Sequence, residues 1–155
     1  TSLVTGSGTY AVADIQTALG QQSFGGWSLV VITHDASLPE RFLMVTAPQQ
    51  VVTSTASSSF TVNLLQPAST ATLVAVAFEG DRLFASDKLS LSGFSLSNAF
   101  RGSVPAPRSP AYDNTLGTDV LVASVTGMSG VQLSFNAVTS DDQVMLAAVA
   151  VAVDV

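Results

Sequence analysis

VMLAAVAVAV, residues 144–153, is the longest uninterrupted apolar run in the chain. Ten residues are too few to cross a bilayer as a helix. A run that is apolar on both faces reads as a central strand of a sandwich or barrel. With a period of two, Met145, Val149, Val151 and Val153 share one face, and Leu146, Ala148, Ala150 and Ala152 the other. The row of alanines leaves room for close approach by another layer. Inter-sheet packing is the first reading of it, ahead of an intermolecular contact.

Working outward, residues 27–32 (WSLVVI) and 73–78 (LVAVAF) are also apolar on both faces and predict two more central strands. In the first of these Trp27 is expected in the core. Phe60, Val62 and Leu64 alternate with Thr61 and Asn63, and Val131, Leu133 and Phe135 with Gln132 and Ser134. These predict half-buried strands with one wet face. Leu89 and Leu91 alternate with serines until Gly93 shifts the phase to Phe94 and Leu96, as a bulge or sharp bend would. Turn formers separate the runs at short intervals, from Gly25-Gly26 to Gly130. Residues 11–19 carry Val12, Ile15 and Leu19 at helical spacing before Gly20, and are the one stretch whose spacing allows a helix, although Tyr10, Val12 and Asp14 also alternate as in a strand. No repeat of solenoid or propeller length occurs. The prediction is a single all-β domain over residues 1–155, an antiparallel β-sandwich of jelly-roll type with eight to ten strands.

Composition narrows the function classes. The 155 residues suffice to bury roughly two-thirds of the unfolded surface in one core. Charged residues make up 10% of the chain, well below the roughly 25% usual for soluble domains. Ser and Thr, 21 and 15 of them, take their place. Lys88, Arg41, Arg82, Arg101 and Arg108 are scattered singly on a chain of net charge −6, so no basic stripe exists for nucleic acid or an anionic membrane. The absence of cysteine excludes disulfides, thiolate metal sites and thiol catalysis. Hydroxyl-rich, acidic and free of cysteine, the composition fits a bacterial extracellular module. The opening TSLVTGSGTY has neither the basic nor the apolar part of an export signal.

Catalytic constellations are sparse. The one histidine, His34, precedes Asp35, and on a strand neighbours point to opposite faces, so they cannot act as a dyad. No G-x-S-x-G elbow or Walker A sequence occurs. Asp141 and Asp142, adjacent before a strand, read as turn residues rather than as a glycosidase pair. Calcium, which takes six to eight oxygens, is the better cofactor candidate. Glu79, Asp81 and Asp87 form one acidic loop, and Asp113, Asn114 and Asp119 a second; these six are the candidate ligands for a structural calcium. The competing reading is ordinary turn chemistry. Apart from this ion no cofactor is expected.

Three segments carry a resemblance: GGWSLVVITHDASLPER (25–41), VAFEGDR (76–82) leading to DKLSLSG (87–93), and YDNTLGTD (112–119). Together they resemble an uncharacterised β-rich module of large bacterial surface or secreted proteins, often found beside Ig-like repeats. The resemblance covers about Tyr10 to Asp119. His34 and Ala36 depart from its pattern, in which an aromatic or acidic residue and a proline are usual. It implies an exported, non-enzymatic structural or adhesive module with further β-structure upstream, so that this chain would be part of a larger polypeptide. A carbohydrate-binding module is the alternative, for which Trp27, Tyr10 and Tyr112 are the candidate stacking aromatics. The expected partners are other copies of the chain, or adjacent domains, joined by β-strand addition. A surface ligand is a further candidate, and neither nucleic acid nor membrane insertion is expected. The motive is the run 144–153, read as an edge strand with no Pro or Lys gatekeeper.

Overall fold

The computed structural model describes residues 6–17, 19–20, 23–80, 83–104, 111, 115 and 117–154. Its strands are β1 (Arg41–Thr46), β2 (Gln50–Val52), β3 (Ser58–Asn63), β4 (Thr70–Phe78), β5 (Lys88–Leu91), β6 (Phe94–Ser97), β7 (Thr118–Thr126), β8 (Gln132–Val138) and β9 (Val144–Asp154). One sheet runs β1-β9-β4-β7, with β2 prolonging β1 along β9; the other runs β3-β8-β5-β6. All pairings are antiparallel. Taking β1 and β2 as one interrupted strand, this is the eight-stranded jelly roll, two sheets wound from a Greek-key path. The predicted β-sandwich is therefore the fold.

The alternating segments behave as their pattern dictates. Phe60 pairs with Phe135 and Val62 with Leu133 across β3 and β8, and the two phenylalanine rings stack with centroids 4.5 Å apart. The phase slip at Gly93 is a two-residue hairpin: Leu91 pairs with Phe94, and Ser92 and Gly93 both have positive φ. That is the turn whose twist suits paired strands. Leu73, Ala75, Leu89, Leu91, Leu133, Phe135, Val149 and Val151 meet in one core between the sheets.

β9 is central. It pairs β1 and β2 on one side and β4 on the other. This corrects the expectation of an open edge there, because a strand apolar on both faces has neighbours to its left and right. Its faces differ from the expected split. The ladder slips between Val76 and Ala77, whose partners are Ala148 and Leu146, so Ala147 is an extra residue. This bulge reverses the phase: Val144, Leu146, Val149, Val151 and Val153 enter the core, while Met145, Ala148, Ala150 and Ala152 face outward. The alanine row thus lies on the outside of the sheet and not between the sheets.

Two further expectations fail. Residues 27–33 form no strand and Trp27 is 46% exposed, not a core residue. Residues 11–17 are not helical, and Val12, Ile15 and Leu19 are exposed. For residues 27–33 the central places of the sheet are already held by β9 and β4, and the segment lies instead over the outer face of that sheet.

Deleting Ala147 should straighten the ladder and leave every other β9 side chain on its own face. Deleting Ala150 should turn one end of the strand over. Thermal unfolding should show a cooperative fold for the first variant and a much larger loss for the second.

Candidate functional site

Two places collect side chains that the core does not explain. The first is the outer face of the five-stranded sheet. Register places Leu43 opposite Ala152, Val45 opposite Ala150, Ala150 opposite Val74, Ala148 opposite Val76, and Val76 opposite Val120. Outward positions of a sandwich are ordinarily polar, but here a continuous apolar surface has alanines along its middle strand. Residues 27–33 cross above it and leave a cleft of about 690 Å³ between segment and sheet. The chain enters this crossing over Phe78, where Gly26 passes so close that a Cβ would collide with the ring. Beyond that point the segment is only half seated: Leu29, Val30, Val31 and Ile32 all remain substantially exposed.

The second place is one end of the sandwich, where the loops leaving β4, β6 and β8 meet. Glu79 and Gly80 donate their N–H groups to the carbonyl of Gly117, and Thr115 donates to that of Gly102. Asp119, second residue of β7 and buried, accepts from the main-chain N–H groups of Arg101 (2.8 Å) and Ser103 (2.9 Å) through Oδ1. Its Oδ2 lies against Gly80, where any Cβ would strike it. Asp87 is 0% exposed, and its carbonyl accepts from the N–H of Asn98 (2.6 Å) and of Ala99. Neither of its carboxylate oxygens has a hydrogen bond of normal geometry. Beside it the Ser86 hydroxyl donates to Asp141 and accepts from the N–H groups of Ser140 and Asp141. Glu79, Asp141, Asp142 and Gln143, with Phe24, Thr53 and Ser54, line an open cleft of about 450 Å³ at this end.

Charge follows from this geometry. Burial is the main cause that pushes the Asp87 carboxyl up to about 6; the neighbouring Asp142, Asp141 and Asp119 add to it and the Thr139 hydroxyl opposes it. Burial also raises Asp119, against the pull of the N–H groups of Ser103, Arg101 and Gly102. Asp35 is different. Its carboxylate accepts from the Ser37 N–H and hydroxyl, which hold it below the usual value. It closes a surface turn beside the exposed His34.

Of the six candidate calcium ligands, Asp87 and Asp119 come into electrostatic range of each other. Glu79 stands at the same loop end, bonded through its main chain to Gly117. Asp81, Asp113 and Asn114 lie outside the described residues, as does Tyr112. Among the described residues, no three carboxylates or imidazoles stand close enough to chelate an ion by themselves. Sequence reading passed over Asn98, whose buried Oδ1 is also without a partner, and took Asp141 and Asp142 only as turn residues. Their position beside Asp87 is set by the β8–β9 connection, far away in sequence.

No family model and no curated protein matches the chain. Among solved structures it is similar to an exo-β-1,3-galactanase from Phanerochaete chrysosporium, crystallised with galactose, at 15% identity and a TM-score of 0.37. The match covers 83% of this chain and 32% of the galactanase, so the chain spans about a third of that enzyme's length. A likeness this distant carries nothing about activity.

The Asp87 carboxyl gives a pH test in buffer free of divalent ions. Its folded value, about 6, lies above the usual 3.8, so between those values the folded chain holds more protons than the unfolded one. Stability from this group is therefore full in acid and is lost as pH rises through 6. Asp87→Asn should raise Tm at about pH 7.5, and raise it less at about pH 4.5. Equal shifts at both pH values would contradict the assignment.

Proposed function

We propose that the protein is a non-enzymatic structural or adhesive module, exported and carried in a bacterial cell-surface assembly. It joins that assembly by adding a second copy of the chain to its five-stranded sheet. The observation that carries this reading is the apolar outer face, with Leu43, Val45 and Val122 each more than a third exposed. Soluble sandwiches seldom leave such a face open, and a patch of this kind marks an interaction surface. The edge supports the same reading. Among the described residues β1 has a sheet neighbour on one side only, and its outward side chains are Arg41, Leu43 and Val45, with no Pro or Lys to deter pairing. The hydroxyl-rich, cysteine-free composition and the three motifs shared with bacterial surface modules support the location.

For catalysis the described residues offer little. Asp35 is committed to an exposed turn, where its carboxylate accepts from the N–H and hydroxyl of Ser37. One observation favours the second reading, a carbohydrate-binding module: Trp27 is half exposed at the cleft, where an indole face can stack on a sugar ring.

Sedimentation of the chain over a wide concentration range should show reversible self-association. A variant carrying Leu43→Glu and Val45→Glu should remain monomeric, with stability changed by no more than about 1 kcal/mol. A wild-type chain that stays monomeric throughout would overturn the reading. Glycan-array binding that disappears on Trp27→Ala, with thermal unfolding unchanged, would replace it with the sugar-binding one.

A further inference from the structure

At the end of the sandwich where Asp87 and Asp119 lie, the buried side-chain atoms without a hydrogen-bond partner are all oxygens. They are both carboxylate oxygens of Asp87, Oδ1 of Asn98 and Oδ2 of Asp119. Asp87 is 0% and Asp119 1% exposed, so bulk water does not compensate them. A buried carboxylate left without donors or a counter-charge is strongly unfavourable.

Among the described residues no cationic side chain answers these oxygens. Lys88 follows Asp87 directly, but alternation along β5 turns it to the opposite face, and it is exposed. The ion pair among the described residues is Arg41 with Asp154, where β1 pairs the last residue of β9. The other groups whose charge reaches Asp87 are Asp141, Asp142 and Asp119, all of the same sign. An acceptor-only set of carboxylate and amide oxygens, crowded by further carboxylates, suits a hard divalent cation, above all calcium, which accepts mixed carboxylate, amide and main-chain ligands.

We propose that Asp87, Asn98 and Asp119 bind a calcium ion that ties the β4–β5 and β6–β7 loops to the start of β7. The main chain already draws these residues together: Asn98 N–H bonds the Asp87 carbonyl, and Asp119 holds the 101–103 loop through two N–H groups. The ion completes the set by satisfying the oxygens those bonds leave over. This site is independent of the sheet face used in the assembly reading, and the two fail separately.

The test is calcium titration into the full chain after chelator treatment, followed by thermal unfolding and by equilibrium dialysis with metal analysis. The expected result is one calcium bound per chain. At saturating calcium Tm should rise by roughly 5–10 °C. Asp87→Asn and Asp119→Asn should each weaken binding about 10-fold or more. Asp35→Asn, a surface carboxylate in a turn, should leave it unchanged. If either buried variant fails to fold, dialysis on the wild-type chain still decides. No bound calcium and no shift would overturn the proposal, as would a shift that survives both buried substitutions.

Discussion

The constraint on which the structure depends is that β9 is apolar on both faces and must be covered on both. Its inner face, Val144, Leu146, Val149, Val151 and Val153, is covered by the opposite sheet. Its outer face, Met145, Ala148, Ala150 and Ala152, is covered among the described residues by the partly seated segment 27–33 and by no second sheet. Because β9 pairs β1, β2 and β4 at once, it fixes the order of the larger sheet. The same apolarity that makes it central leaves a surface that an isolated sandwich would not display. Fold and exposed apolar face therefore have a single origin.

The bulge at Ala147 decides which side chains go where. Without the extra residue, Leu146 and Ala148 would share a face, and either a leucine would lie outside or an alanine would replace it in the core. Leu146 is fully buried, so the core holds the large side chain and the outside keeps the small ones. Met145, Val76 and Phe78 then gather with Ala147 and Ala148 into a small cluster on the outer face. This cluster lies beneath the point where Gly26 crosses, and Phe78 anchors one end of the crossing segment.

The sequence made the fold class legible because period-two alternation reports burial directly: Phe60 and Val62 against Phe135 and Leu133 needed no further information. Turn chemistry at Gly93 was equally local. What periodicity could not separate was the reason for two-faced apolarity. Residues 27–33 are apolar on both sides because they lie between an apolar sheet and their surroundings, whereas β4 and β9 are so because they are central strands beneath that segment. One pattern thus has two causes. The bulge was hidden for a related reason, since in an alanine-valine run no polar residue marks the change of phase.

The acidic end shows the opposite limit. Asp87 and Asp119 stood out in the sequence as acids in loops, but their burial depends on residues far away in the chain: Asn98, the 101–103 loop and the 139–142 turn. Asp119 is partly compensated by N–H groups, and Asp87 is not, although both are buried to the same degree. Turn formation alone would place these carboxylates at the surface, as it does Asp35, whose bonds to Ser37 are made in an exposed turn. Two acids carried inward, where an Asn or Ser would fill the same space at lower cost, are the observation on which the calcium proposal rests. In a chain with five basic residues for eleven acidic ones, the proposed ion would supply a positive charge that the described side chains do not.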